Sequence, residues 1–320
     1  MVAQRGDSTA TCALAGASDG ARERARARAR VWPHPGIEAL ELWDVVVGDR
    51  TLFERRDEPT FFDSLAAAVA ALRRGEASRA GGARLPAVPW ESVVLMGGGV
   101  DVARARASFA SADLRLEYAS SEPCLAVTMA RAALSTEAAP HAGRYDASGE
   151  EVVVADVGQT AIKVAGRAGT FHCPRARGVD AREPARETFA ADIAAAAALA
   201  MGGRAPAQLV LALPCEVRSA GHAVVLGAST YPTEGDGAEL ADEVARHLLD
   251  GERPAPPAAL GAAAAPAVLD VVMVNDAVLA AWAFARGPAS VAPSRGELVL
   301  TVGLGVGAAF IREERAPGQP

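Results

Sequence analysis

The chain has 320 residues, 50% of them hydrophobic and 22% charged, and a formal net charge of −7. Such a length is more than one ordinary core needs and too little for three full domains, and the composition is globular rather than disordered. The acidic balance speaks against a nucleic-acid partner, and apolar runs such as Phe189–Met201 fall short of the roughly 20 residues that cross a membrane.

Residues 1–36 read as a disordered, Arg/Ala-rich leader. Met1–Gly20 is small and polar, and Ala21–Arg30 repeats Arg with Ala and Glu without an apolar face. It lacks the apolar stretch of a secretory signal, and a solvated tail is a simpler account than a nucleic-acid arm or a presequence. Structure is predicted from Ile37 onward. Leu40–Val47 and Thr51–Glu54 flank Gly48-Asp49 as the arms of a hairpin. Phe61–Arg74 carries Phe62, Leu65, Val69 and Leu72 at helical spacing. Ser92–Met96 is a buried strand running into Gly97-Gly98-Gly99, and Pro123–Leu134 is a second helix. Residues 135–150 break into Pro, His, Gly and Asp, the composition of an interdomain linker.

Past the linker, Glu151–Ala155 is a Val-rich strand, and a second strand passes through Lys163 to Ala165. Helix Arg186–Ala200 precedes the buried strand Gln208–Leu213; helix Gly237–Leu249 precedes the strand Ala267–Val274. Asn275-Asp276 caps a helix over Ala277–Arg286. Strand Glu297–Val302, a Gly-rich loop and strand Ala308–Ile311 follow, with 313–320 as a tail. Alternating strands and helices make the fold class α/β. Cys12, Cys124, Cys173 and Cys215 lie far apart with no CxxC pair, which suggests neither a zinc site nor a disulfide framework and fits a reducing, cytoplasmic setting.

Three segments can carry chemistry. In Asp156-Val-Gly158-Gln159-Thr160-Ala-Ile-Lys163, an acidic residue ends a buried strand, a position that is costly unless paired or bound to a cation. Gly158 lets backbone approach an anion, turn amides and the Thr160 hydroxyl can donate to phosphate, and Asp156 can hold Mg²⁺ through water. Lys163, the only lysine in the chain, can neutralise phosphate charge; an ordinary Asp-x-Gly hairpin is the competing account. In Asn275-Asp276, either residue alone is explained as a cap; together, after an apolar strand, they suggest a base. There the helix dipole would keep the Asp276 carboxylate ionised to accept an alcohol proton, while Asn275 orients the alcohol. In Gly303-Leu304-Gly305-Val306-Gly307-Ala308, a dinucleotide fingerprint fails because a strand, not a helix, comes next. A glycine hairpin approaching phosphate is still allowed.

Asp-x-Gly-x-Thr-x-x-Lys, Asn-Asp-Ala and Leu-Thr-x-Gly-x-Gly-x-Gly together resemble the repressor/open-reading-frame/kinase (ROK) sugar kinases of the actin-like ATPase superfamily. Leu209–Val217 is similar to that family's apolar strand ending in Pro-Gly-x-Val, with Cys215 in place of Gly. Val93–Val100 resembles its adenosine loop, and Pro123–Leu134 its closing small-residue helix. The order differs: the family runs phosphate-1, Asn-Asp, phosphate-2, adenosine, whereas here the adenosine-like segment comes first. The resemblance therefore implies two actin-like, ribonuclease H-like lobes around a nucleotide cleft in circularly permuted order. Residues 37–134 would be the C-terminal-type lobe, 151–290 the N-terminal-type lobe, and 291–312 a phosphate-2 hairpin completing the former.

What the resemblance implies about activity is ATP- and Mg²⁺-dependent phosphorylation of a hydroxyl on a sugar or cyclitol-like small molecule, in an enzyme without nucleic-acid or membrane partners and with a homodimer allowed. Asp276 would be the base. Asn275, with Glu38 and Glu41, would meet the substrate, and Asp156 would order the metal. Gly158, Gln159, Thr160, Lys163, Gly303, Gly305 and Gly307 would hold phosphates; Gly97, Gly98 and Gly99 would flank adenosine. Gln159 and Leu304 stand where the family commonly has Gly and Thr, its Glu-x-Gly-His sugar motif is not clear, and its Cys-rich zinc loop is absent. A non-catalytic nucleotide- or sugar-binding relative is the alternative.

Overall fold

The computed structural model describes residues 27–32, 34, 36–136, 151–158, 160–175, 186–227, 235–250, 268–286, 296–303 and 305–312. Two mixed sheets dominate an α/β architecture. In the first, β7 (Val152–Val157), β8 (Ala161–Gly166) and β9 (Gly169–Pro174) form an antiparallel meander. On the other side of β7 lie β10 (Gln208–Leu213) and β14 (Leu269–Asn275), both parallel to it, and at the edge β1 (Ala27–Val31). Strands β7, β10 and β14 read as nearly continuous Val/Leu because both faces are covered, the usual reason for unbroken apolar strands in parallel pairing. Helices α5 (Arg186–Ala200) and α6 (Gly237–Asp250) cover the outer face, where Phe189, Ile193, Leu240 and Val244 pack on Leu209, Leu211 and Val271. A small three-stranded sheet, β11 (Val217–Ala220), β12 (Ala223–Leu226) and β13 (Gly235–Asp236), flanks α6.

The second sheet has the order β2-β16-β15-β5-β6. Strands β2 (Ile37–Glu41), β16 (Val306–Ile311) and β15 (Glu297–Val302) are antiparallel neighbours; β5 (Ser92–Met96) and β6 (Leu116–Ser120) run parallel to β15. Both sheets thus share one plan, an antiparallel meander of three strands continued on one side by parallel strands, three in the first sheet and two in the second. The second is assembled from opposite ends of the chain, since its central pair β15–β16 comes from residues 297–311 and the remainder from 37–120. Its outer face is covered by α2 (Phe61–Arg74) and α3 (Val102–Ser111), with Leu65, Val69 and Phe109 against Val93, Leu95 and Leu300.

Helices α4 (Leu125–Thr136) and α7 (Asp276–Arg286) pack on each other between the two sheets. One continuous core there joins Val154, Val210 and Val272 of the first sheet to Val94, Val299 and Ile311 of the second through Val127, Ala130 and Val278. Helix α7 is buried from Ala277 to Phe284, as expected of a helix that is apolar all round.

Three boundaries differ from the sequence expectation. The leader is not unstructured to residue 36: Ala27–Val31 pairs with β14, and Arg30 donates to the buried Asp270, which also accepts from Gln208 Nε2 at 3.0 Å. Alternation supplies the face that the expectation missed: Ala27, Ala29 and Val31 pack on the core of the first sheet. The hairpin around Gly48-Asp49 shrinks to the two-residue strands β3 (Val46–Val47) and β4 (Arg50–Thr51). Thr51 and Glu54 form a capping box that starts α1 (Leu52–Arg55), because Thr-x-x-Glu satisfies two amide donors at a helix start. Helix α3, strands β6 and β9 and the small sheet were unassigned. The linker from 137 to 150, residues 291–295 and the tail lie outside the described residues.

Candidate functional site

The C-terminal ends of the parallel strands in both sheets converge on one region, the end where ligands bind in open α/β sheets. Asp156, at the end of β7, stands directly across from Lys163 of β8, and Lys163 Nζ donates to Asp156 Oδ2 at 2.7 Å. Burial works against the Lys163 ammonium, but the adjacent Asp156 carboxylate outweighs it and, with Asp276 adding to the same effect, holds the pKa above its ordinary value. The turn is closed by Gly158 N–H donating to the Ala161 carbonyl at 3.0 Å, and exposed Thr160 accepts from the Arg175 amide through its carbonyl at 2.8 Å. Gln159 lies outside the described residues.

Asn275 ends β14 and caps α7: its Oδ1 accepts from the amides of Ala277 (3.0 Å) and Val278 (3.3 Å), while Nδ2 donates to the Cys215 carbonyl at 3.1 Å. These bonds tie α7 to the turn after β10 and engage both ends of the amide, so orientation of a substrate is not the job its contacts describe. Asp276, half-buried, receives the Ala277 amide on Oδ1 at 2.7 Å. Its pKa is pushed up to about 7, by burial first and the Asp156 charge second, with the Ala277 amide and Lys163 opposing. The helix terminus therefore does not keep this carboxylate at ordinary acidity, contrary to the dipole argument; burial outweighs it.

The glycine segments meet from opposite ends of the chain. Gly97 has φ +137°, and a Cβ there would run into the Val302 carbonyl. Gly99 N–H donates to the same carbonyl at 3.3 Å, and a Cβ on Gly99 would lie 3.3 Å from the Gly303 carbonyl. Gly98 is exposed beside Pro123. The β15–β16 turn is closed by Gly303 N–H on the Gly305 carbonyl at 3.0 Å; Cβ atoms on Gly303 or Gly305 would meet nothing within 4 Å among the described residues, so bare backbone there faces open space. Leu304 lies outside the described residues. Gly307 differs from both: a Cβ on it would stand 2.5 Å from Thr301 Oγ1, 3.1 Å from Ala277 Cβ and 3.4 Å from Asp276 Oδ1. It seats the start of α7 against the hairpin instead of lining the turn.

The two candidate glutamates of β2 part company. Ile37 packs on the central core and Leu40 on the outer one, so alternation puts Glu41 on the central face and Glu38 on the outer. Glu38 pairs with Arg312 at the surface, away from Asp276. Glu41 stands directly across from Gly307. Thr301, which the sequence reading leaves out although it precedes the glycine turn, puts its Oγ1 2.5 Å from where a Cβ on Gly307 would stand. No protein-family model, curated protein or solved structure matches this chain.

No group of three or more His, Cys, Asp or Glu side chains that could cage a metal occurs among the described residues. Mg²⁺ commonly takes one or two carboxylates with water and substrate phosphates, and Asp156 is the carboxylate that could contribute here.

Proposed function

We infer that the protein is an ATP-dependent kinase acting on a hydroxyl of a sugar or cyclitol-like polyol, with Asp276 as general base. The observation that carries this reading is a half-buried carboxyl with a pKa of about 7 that feels the charges of Asp156 and Lys163 and lies beside Gly307 of the β15–β16 hairpin. A base poised near neutrality removes a hydroxyl proton effectively, because it is both largely available and basic enough to accept. Asp276 takes that proton on its carboxylate as the alcohol oxygen attacks the γ-phosphorus of ATP and the bond from that phosphorus to the β-phosphate oxygen breaks, so that ADP leaves. Lys163 moves from Asp156 to a phosphate oxygen, while open turn backbone at Gly303 and Gly305 and the Gly97–Gly99 segment accommodate the nucleotide. Asp156 would hold Mg²⁺ when it binds, and the ion would supply positive charge against the phosphates. The shared plan of the two sheets, with β15–β16 completing a sheet begun near the N-terminus, supports the permuted actin-like arrangement as the fold.

The test is ADP release over a panel of sugars and cyclitols for wild type and Asp276→Asn. The asparagine keeps shape and amide acceptor, so turnover should fall about 10²–10⁴-fold with the fold retained. Equal turnover would remove Asp276 from the mechanism. A second reading, a nucleotide- or sugar-binding relative without turnover, is favoured by the closed Lys163–Asp156 ion pair and the engaged Asn275 amide. ATP binding without ADP release from any polyol would select it.

A further inference from the structure

Strand β15 carries one hydroxyl on a face that is otherwise apolar. Thr301 stands beside Met96 of β5 and directly opposite Gly307 of β16. Residues in register on neighbouring strands project to the same face, and Met96, Val299 and Ala309 place that face on the central core. Valine has the same branched shape and brings no polar group to satisfy, so a threonine here needs a reason. The fold does not supply one. Among the described residues the Thr301 hydroxyl has no hydrogen-bond partner, and the residue is partly exposed.

Gly307 brings that hydroxyl to Asp276. The point that a Cβ on Gly307 would occupy lies 2.5 Å from Thr301 Oγ1 and 3.4 Å from Asp276 Oδ1, with Ala277 Cβ at 3.1 Å. The two oxygens therefore stand no farther apart than about two hydrogen bonds laid end to end, and no direct bond joins them. One further oxygen can bridge such a pair. Asp276 Oδ1 keeps acceptor capacity beyond the Ala277 amide that it already receives, so a hydroxyl can donate to it while accepting from Thr301. An ionised phosphate oxygen has no proton to offer and is repelled by the carboxylate, which leaves a neutral hydroxyl as the bridging group.

We propose that Thr301 is the second protein group on the reacting hydroxyl of the acceptor, holding its oxygen against Asp276. This rests on the kinase reading above for the reaction, though not for binding. The acceptor's proton passes to Asp276, its oxygen bonds to the γ-phosphorus, and the bond from that phosphorus to the β-phosphate oxygen breaks as ADP leaves. Thr301 gives up no proton; its O–H donates to the acceptor oxygen and fixes the direction of attack.

Two variants separate the hydroxyl from the shape: Thr301→Val keeps the branched side chain without the hydroxyl, and Thr301→Ser keeps the hydroxyl without the methyl. Calorimetric titration of the full chain, with a non-hydrolysable ATP analogue and Mg²⁺, would use glucose, glucosamine and myo-inositol. At least one should bind wild type. Thr301→Val should weaken that binding about three- to tenfold, the worth of one hydrogen bond, and Thr301→Ser should recover most of the loss. In ADP release, kcat/KM for the same polyol should follow the same order. The losses from Thr301→Val and Asp276→Asn should combine to less than their product, because both groups hold one oxygen. Thermal melting checks that both Thr301 variants fold. Unchanged affinity in Thr301→Val, a Thr301→Ser as weak as Thr301→Val, losses that multiply in full, or no polyol bound by wild type would each overturn the proposal. Polyol binding in the stated order without ADP release would sink the kinase reading and leave Thr301 in place; ADP release indifferent to Thr301→Val would do the reverse.

Discussion

Asp276 is where charge, burial and geometry meet, and its titration has consequences for both rate and stability. Folded Asp276 keeps its proton to about pH 7, whereas in the unfolded chain it loses it near 4. The native state therefore binds more protons between those values, so stability falls as pH rises through this window and the full penalty stands above 7. About three pKa units bound the effect at roughly 4 kcal/mol. Urea unfolding at pH 5 and pH 8 should show wild type losing stability that Asp276→Asn does not lose; parallel losses would mean Asp276 is not perturbed by burial. The rate has the opposite sign. The base works ionised, so kcat/KM should rise with pH to a plateau with its midpoint near 7.

Among the elements, the two glycine segments separate a structural need from a ligand's need. Gly97 has positive φ and no room for a Cβ, so Gly97→Ala should cost several kcal/mol on the scale of a buried backbone clash and a strained φ, read by thermal melting. Gly305 faces open space; Gly305→Val should leave the melting temperature of the free protein close to wild type and abolish its rise with ATP and Mg²⁺. An equal nucleotide-induced rise in both proteins would remove this turn from the phosphate path. Strand β1 offers a second contrast. Arg30→Met removes the cation facing buried Asp270, leaving that carboxylate with the Gln208 amide beside it in the sheet. A loss of about 3–5 kcal/mol is expected for a buried pair broken on one side, and restoring neutrality with Arg30→Met/Asp270→Asn should recover part of it.

At the scale of the molecule, the central core ties both sheets to α4 and α7, so the chain should unfold in one cooperative transition despite having two sheets. A chain truncated after residue 290 would lose β15 and β16, the middle of the second sheet. Val93, Leu95 and Phe109 would then face water, and residues 37–136 should bind a hydrophobic dye and be cut readily by protease. Adding the 291–320 segment as a separate peptide should restore protection. A truncated chain that stays compact and resistant would show that the hairpin is dispensable to the sheet. No helix among the described residues is long and apolar enough to cross a membrane.

Much of this architecture is legible locally. Val-rich runs such as 152–154 and 271–274 announce buried strands, and the Leu65/Val69/Leu72 stripe announces α2, because burial of a face imposes its period on the sequence. Asp156 and Asp276 stand out as acids where apolar strands end, the glycine turn by its place after another such strand, and Lys163 as the only lysine in the chain. What neighbours in sequence do not encode is pairing across hundreds of residues. That Arg30 meets Asp270, that Gly307 lies against Asp276, and that Glu41 stands across from Gly307 follow from how the strands pair. So does the acidity of Asp276: the helix start by itself favours the ionised form, and only the tertiary packing that buries it beside Asp156 reverses the balance. Composition and periodicity determine which segments bury which faces; contact between segments, and the field each charge feels, exist only once the chain has closed on itself.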